Sequence, residues 1–270
     1  MNADDSGGAF RFSPLRIGIS LIVVAVAIAL WFAARPSSDR SISSELMFNG
    51  APVEEFHCVP KSAGPHPAVI LLHGAGYRGQ NHEEFDAMCG ALADHGYYAE
   101  FIEYFDATPN SDPTTDPMDN FRAWTAAIHF GIDSMARNRA IDPRRIALMG
   151  FSQGAYLAVG TAAQFLNEVA AVVEYYGGLI PSLRDKVSSM PPTLILHGEA
   201  DTVIPVSEAK DLDARLTSVN RPHEMHLYPS VDHGFNFHRP ANFYNPAAAE
   251  DAWHRTLEFL DGTIKPPPPS

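Results

Sequence analysis

Residues 145–154 read Arg-Ile-Ala-Leu-Met-Gly-Phe-Ser-Gln-Gly, and this stretch decides the fold. The apolar run Ile146–Met149 ends in Gly150-Phe151-Ser152-Gln153-Gly154, and an apolar, alanine-rich stretch follows from Ala155 to Phe165. Read physically, a buried strand turns sharply into a buried helix. The two glycines let the backbone crowd at the turn, which lifts the Ser152 hydroxyl above the sheet edge. The first free N–H groups of the helix then point at whatever that hydroxyl attacks. Gly-x-Ser-x-Gly recurs by chance in many chains; a strand before it and a helix behind it make Ser152 a candidate nucleophile.

Strands and helices alternate on both sides of this turn. Leu46–Phe48, Asn49-Gly50 and Val53–Val59 predict an antiparallel hairpin, because Asn-Gly is the preferred type I′ pair. Ala68–Leu72 reads as a buried parallel strand ending in the glycine loop His73-Gly74-Ala75-Gly76. A helix over Glu83–His95 closes at Gly96, and a strand over Tyr97–Tyr104 returns. Phe105–Asp116 reads as loop, and its acids Asp106, Asp112 and Asp116 match no calcium-loop spacing. Met118, Phe121, Trp124, Ile128, Ile132 and Met135 recur at helical spacing as a core stripe. Further strands are expected at Val169–Tyr176, Thr193–Leu196 and His223–Tyr228. Further helices are expected at Pro205–Leu216 and around Ala252, Trp253, Leu257 and Leu260. This alternation without a repeat specifies the α/β class, a mostly parallel sheet with helices on both faces.

At 270 residues and 46% apolar content the chain fits one large domain plus appendages. The net charge of -13, with no basic patch, argues against a nucleic-acid partner. Ile17–Ala34 carries no charge and is bracketed by Arg11, Arg16, Arg35 and Arg40, with Trp31 where an interfacial aromatic would sit. That pattern reaches the lower limit for a bilayer-spanning helix and is longer than a usual signal-peptide core. The expected organisation is a polar segment 1–16, a transmembrane or signal-anchor segment 17–34, a linker 35–43, a folded domain 44–264 and a proline-rich tail 265–270. The domain is then expected to be membrane-anchored and extracytoplasmic (periplasmic), with secretion after signal cleavage as the alternative. Cys58, in a strand pattern, and Cys89, on the apolar face of a helix, are read as free buried cysteines, although an exported pair could form a disulfide.

Sheets of this kind keep their chemistry at the carboxyl ends of the strands. Of twelve histidines, His73, His197 and His233 sit at or just beyond such an end. His73 and His197 each precede a glycine at the strand edge and read as structural. His233 lies in a loop past the last strand, followed by Gly234, and can swing over the turn at Ser152. Asp201 follows its strand by a short turn, with Glu199 as runner-up; Asp232 adjoins His233 too closely in the chain to orient it. The order Ser152, Asp201, His233 is the nucleophile–acid–base order of an α/β-hydrolase. In these roles His233 accepts the Ser152 proton and Asp201 fixes its tautomer. The Gln153 and Ala75 N–H groups are the candidate oxyanion donors, and losing one such donor costs about 3–4 kcal/mol of barrier.

With these residues in place, the chain from about Glu54 to Leu260 resembles the dienelactone hydrolase family of α/β-hydrolases. The likeness is carried by Gly150-Phe151-Ser152-Gln153-Gly154, Tyr175-Tyr176-Gly177-Gly178, Leu194-Ile195-Leu196-His197-Gly198 with Asp201 and Ile204-Pro205, and His226-Leu227-Tyr228-Pro229 with His233-Gly234-Phe235. The resemblance implies a triad of Ser152, Asp201 and His233, hydrolysis of a small-molecule ester or lactone, and no cofactor or metal. Namesake members of that family use a cysteine nucleophile and an acidic residue before the oxyanion loop, where this chain has Ser152 and His73-Gly74. A general serine carboxylesterase is therefore the expectation. A serine peptidase of the prolyl oligopeptidase type and an inactive hydrolase-fold binding protein are the alternatives; no propeller-sized region precedes the domain, and no triad member is missing.

Overall fold

The computed structural model describes residues 41–75, 81–108 and 117–265. The sequence around the serine becomes β5 (Ile141–Phe151) and the helix α3 (Gln153–Gln164), with Ser152 alone between them. β3 (His66–Leu72), β5, β6 (Ala171–Tyr175), β7 (Thr193–Gly198) and β8 (His223–Tyr228) run parallel, and β4 (Tyr98–Ile102) joins β3 in the same sense. β1 (Ser41–Phe48) and β2 (Ala51–Cys58) pair antiparallel at one edge. The eight strands lie in the order β1-β2-β4-β3-β5-β6-β7-β8. β5 is thus a central strand, buried from Ile146 to Phe151. The β1–β2 turn uses Asn49 and Gly50 at φ 50° and 81°, the left-handed pair that a type I′ hairpin demands.

Period-two alternation divides the core. Ala68, Ile70 and Leu72 of β3 face one layer, with α2 (Pro117–Arg137), α3 and α4 (Ser207–Ser218) over them. Val69 and Leu71 face the other layer, under α1 (His82–Asp94) and α5 (Pro246–Thr263). The helical stripe expected in α2 is the core stripe observed: Phe121, Trp124, Ile128, Ile132 and Met135 are all buried. This is the mostly parallel α/β sheet, covered on both faces, that the alternation specified.

Two expectations are corrected. No helix among the described residues is long and apolar enough to cross a membrane. The longest, α2, turns a charged face carrying exposed Arg122 and Arg137 away from its apolar stripe, as a helix covering a sheet does. The transmembrane helix, the membrane partner and the extracytoplasmic placement built on them are accordingly not supported; Ile17–Ala34 itself lies outside the described residues, as does the tail 266–270. The second correction concerns the cysteines. Cys58 at the end of β2 and Cys89 in α1 form a disulfide, with Cα atoms 5.6 Å apart. Burial alone does not distinguish a free cysteine from a bonded one, and only the packing of α1 on β2 brings the two together.

Candidate active site

The turn at Ser152 is built from contacts that only glycine permits. A Cβ on Gly150 would lie 2.1 Å from the Gly154 carbonyl oxygen, and one on Gly154 would lie 2.3 Å from the Leu72 carbonyl oxygen. With strand and helix drawn together this closely, Ser152 takes φ 55° and ψ -117°, a left-handed conformation that costs a residue with a side chain on the order of 1–3 kcal/mol. The Ser152 N–H is held by the Tyr175 carbonyl at 2.9 Å, and its own carbonyl accepts from the Ala155 N–H at 2.9 Å. The strain is therefore fixed on both sides, and the hydroxyl stands at the carboxyl end of β5.

Two other strand ends deliver the partners. His233, in the loop after β8, puts Nε2 3.0 Å from Ser152 Oγ and Nδ1 2.8 Å from Asp201 Oδ2. Asp201, in the loop after β7, has a fully buried side chain whose Oδ1 accepts the N–H groups of Val203 at 2.9 Å and Ile204 at 2.7 Å. Burial would raise this carboxyl, but hydrogen bonds from His197, His233 and the Ile204 N–H outweigh it and hold Asp201 well below the usual carboxylate range. Asp232 steadies the loop and takes no part in orienting the ring: it accepts from the Thr202 N–H at 2.8 Å and the His233 N–H at 2.7 Å. Tyr176 packs edge-on against the His233 ring at 4.7 Å, with its hydroxyl donating to Asn236. Glu199, the runner-up acid, is exposed, its N–H on the Tyr228 carbonyl at the strand end.

On the other side of Ser152 lies the loop after β3. A Cβ on Gly74 would meet Ser152 Cβ at 3.3 Å and Oγ at 3.9 Å, so the loop backbone runs against the hydroxyl. Ala75 follows, exposed, and Gln153 opens α3, where first-turn N–H groups have no partner within the helix. His73, fully buried, anchors this loop: its ring stacks on Tyr104 at 4.0 Å, and its Nε2 lies 2.8 Å from Glu103 Oε1. The Tyr104 hydroxyl donates to the His73 carbonyl at 2.7 Å.

Sequence reasoning did not find Glu103 and Tyr104 as supports of this loop, nor Glu174, a buried acid on β6, nor the contact of His197 with Asp201. One signal for Glu174 was available: a lone carboxylate inside the apolar strand Ala-Val-Val-Glu-Tyr. Among the described residues, His129, Asp133 and Glu168 are grouped closely enough to hold a metal ion. Their contacts explain them without one. His129 Nε2 pairs with Glu168 at 2.7 Å and its ring stacks on Phe165, while Asp133 pairs with Arg137. Of the acidic loop 105–116, Asp106 accepts the Glu54 N–H at 2.9 Å; Asp112 and Asp116 lie outside the described residues.

The family model for "Dienelactone hydrolase family" matches residues 53–264. A "Putative carboxymethylenebutenolidase" of Escherichia coli O157:H7 is 27% identical over 227 residues, 76% of this chain and 80% of that protein. The crystal structure of a "Putative Dienelactone Hydrolase" from Klebsiella pneumoniae superposes with a TM-score of 0.68 at 25% identity, covering 82% of this chain and 99% of that one. A thermophilic esterase from Thermogutta terrifontis shares the fold at a TM-score of 0.67 and 18% identity, covering 87% of this chain and 98% of its own.

Proposed function

The chain belongs to the dienelactone hydrolase family, and from that premise we propose that it is a serine hydrolase that cleaves a carboxylic ester or lactone through an acyl-enzyme. That it is a hydrolase of the dienelactone hydrolase type follows from the family; the nucleophile, the intermediate and the substrate class are our reading. One observation carries it: Ser152 Oγ stands on a strained turn 3.0 Å from His233 Nε2, whose other nitrogen is held by a buried carboxylate.

In this mechanism His233 takes the hydroxyl proton as Ser152 Oγ attacks the acyl carbon, because an alcohol is a poor nucleophile at neutral pH. Asp201 keeps the acceptor nitrogen turned toward Ser152 and stabilises the imidazolium that forms. Its two backbone hydrogen bonds and its low proton affinity keep it a carboxylate throughout. The Ala75 and Gln153 N–H groups stabilise the tetrahedral oxyanion. The imidazolium then protonates the departing alkoxide, and a water activated by the same ring releases the acid. For a lactone the leaving alkoxide remains tethered to the acyl group, and the ring opens. The esterase and carboxymethylenebutenolidase names borne by similar proteins support this substrate class.

The test is turnover of a short-chain p-nitrophenyl ester together with covalent labelling by a fluorophosphonate. Wild type is expected to hydrolyse the ester and to gain the probe's mass on Ser152. Ser152→Ala is expected to lose on the order of 10⁴-fold or more in kcat and to remain unlabelled. Label on another residue, or full turnover by Ser152→Ala, would sink the assignment.

A further inference from the structure

Among the described residues, six other than glycine take a positive φ, and five of them are Asn or Ser. The sixth is Tyr176, at φ 42°, the residue that follows β6. Asn tolerates the left-handed region, whereas a bulky aromatic there is an outlier that persists only where its surroundings over-determine it. Those surroundings are present. The Tyr176 N–H donates to the Leu196 carbonyl of β7 at 2.8 Å, and the Gly177 N–H donates to the buried Glu174 carboxyl at 2.7 Å. A Cβ on Gly177 would lie 2.4 Å from Ala155 Cβ, so the turn is pressed against the start of α3. The same turn meets the nucleophile, because the Ser152 N–H donates to the Tyr175 carbonyl at 2.9 Å.

The strained backbone decides where the side chain goes. Successive residues of a strand face opposite layers, so alternation would send Tyr176 away from the layer that holds Val173 and Tyr175. Instead Tyr175 and Tyr176 both lie in the layer under α1 and α5. There the Tyr176 ring, fully buried, packs on Phe235 at 5.5 Å and on the His233 ring at 4.7 Å and 62°. Its hydroxyl donates to Asn236 Oδ1 at 2.6 Å, three residues past His233. We propose that Tyr176 is a positioning residue for the base: its ring backs the His233 imidazole, and its hydroxyl holds, through Asn236, the loop that carries it. The proposal rests on the catalytic reading of Ser152, Asp201 and His233. Asp201 holds His233 at one atom, Nδ1. A ring held at one atom can tilt about that bond and swing Nε2 off Ser152 Oγ; a contact on the ring itself removes that freedom. The phenol moves no proton. Burial first, and then Tyr175, Glu84 and Asp201 nearby, hold it well above its ordinary value, so it stays a neutral donor to Asn236.

The experiment compares the intact wild type with Tyr176→Leu, Tyr176→Phe, Asn236→Ala and the Phe/Ala double variant. It measures kcat and KM on the p-nitrophenyl ester and follows the His233 ring N–H by NMR. Tyr176→Leu keeps apolar bulk and removes the ring, and is expected to lose on the order of 10²-fold in kcat with KM little changed. Tyr176→Phe restores the ring without the hydroxyl, and recovers turnover to within about 10-fold of wild type, the worth of one hydrogen bond. Asn236→Ala should match Tyr176→Phe, and the double variant should lose no more than either, since all three break the same bond. The His233 N–H resonance shifts in Tyr176→Leu. A folded Tyr176→Leu with kcat within about threefold of wild type, or with an unmoved resonance, overturns the proposal, as does a loss confined to KM. Additive losses in the Phe/Ala pair overturn it as well, and this cycle decides should Tyr176→Leu not fold. If wild type hydrolyses no ester, the catalytic reading fails; the NMR comparison needs no substrate and still decides whether Tyr176 holds the ring.

Discussion

The two flanks of Ser152 are built on one plan and to opposite ends. Each has a parallel strand ending in His-Gly, β3 at His73-Gly74 and β7 at His197-Gly198, and each histidine is fully buried. On the β3 flank the ring is clamped by aromatic stacking on Tyr104 and by Glu103, and what it holds in place is backbone. On the β7 flank the ring faces the Asp201 carboxylate, and what it holds in place is charge. In the mechanism proposed, the difference follows from what each flank supplies. An oxyanion donor is a peptide N–H whose value depends on position, so the support is rigid packing. An acid that orients a base must stay ionised while buried, so its support is a set of hydrogen-bond donors.

That contrast can be broken, and its largest test is Asp201→Asn. An amide cannot hold the imidazole in the same tautomer, and kcat is expected to fall on the order of 10⁴-fold, against a mild effect for Glu199→Gln. The reverse ranking would move the orienting acid. The same variant has a signature in stability. Because the folded protein depresses the Asp201 carboxyl, its contribution is present above the ordinary carboxylate pKa and is lost as pH falls toward the folded value. The melting-temperature gap between wild type and Asp201→Asn should therefore narrow below about pH 4. A gap that widens on acidification would contradict the sign.

The next effect lies on the β3 flank. Gly74→Val places a branched side chain where even a Cβ sits 3.3 Å from Ser152, which displaces the loop carrying Ala75. We expect a loss in kcat comparable to removing one oxyanion donor, on the order of 10²-fold to 10³-fold, with the pH profile unmoved. A shifted pH profile would mean that this flank acts through charge after all.

Smaller still is Glu103→Gln, which leaves the His73–Tyr104 stack in place and weakens one contact. A loss of about 10-fold or less is expected, measured as kcat on the same ester. A loss matching Asp201→Asn would erase the distinction between the flanks.

The smallest effect on turnover belongs to the disulfide, which sits on the β3 side but touches neither loop. Replacing Cys58 and Cys89 together by alanine should leave kcat within about twofold while lowering unfolding stability by roughly 3–4 kcal/mol, from the 31-residue separation it closes. Denaturant unfolding measures this, and a large kcat loss would tie α1 to the site.

The sequence by itself determined the elements that local chemistry dictates. Period-two and period-3.6 patterns specified the covered parallel sheet, Asn49-Gly50 specified its hairpin, and Gly150 to Gly154 specified the turn under Ser152. The order Ser152, Asp201, His233 along the chain also singled out the three side chains that the fold brings within hydrogen-bonding distance. Tertiary structure alone decided which buried groups meet. Cys58 and Cys89 read as two separate apolar positions until α1 packs on β2. His73 and His197 looked equivalent as strand-ending His-Gly pairs until one met Tyr104 and the other met Asp201. Glu174 looked like an intruder in an apolar strand until the sheet register put it on the face it shares with His197. A backbone pattern is written within a few residues of itself, whereas the partner of a buried charge comes from a strand tens of residues away. Its identity depends on register and crossover, which no local window of sequence contains.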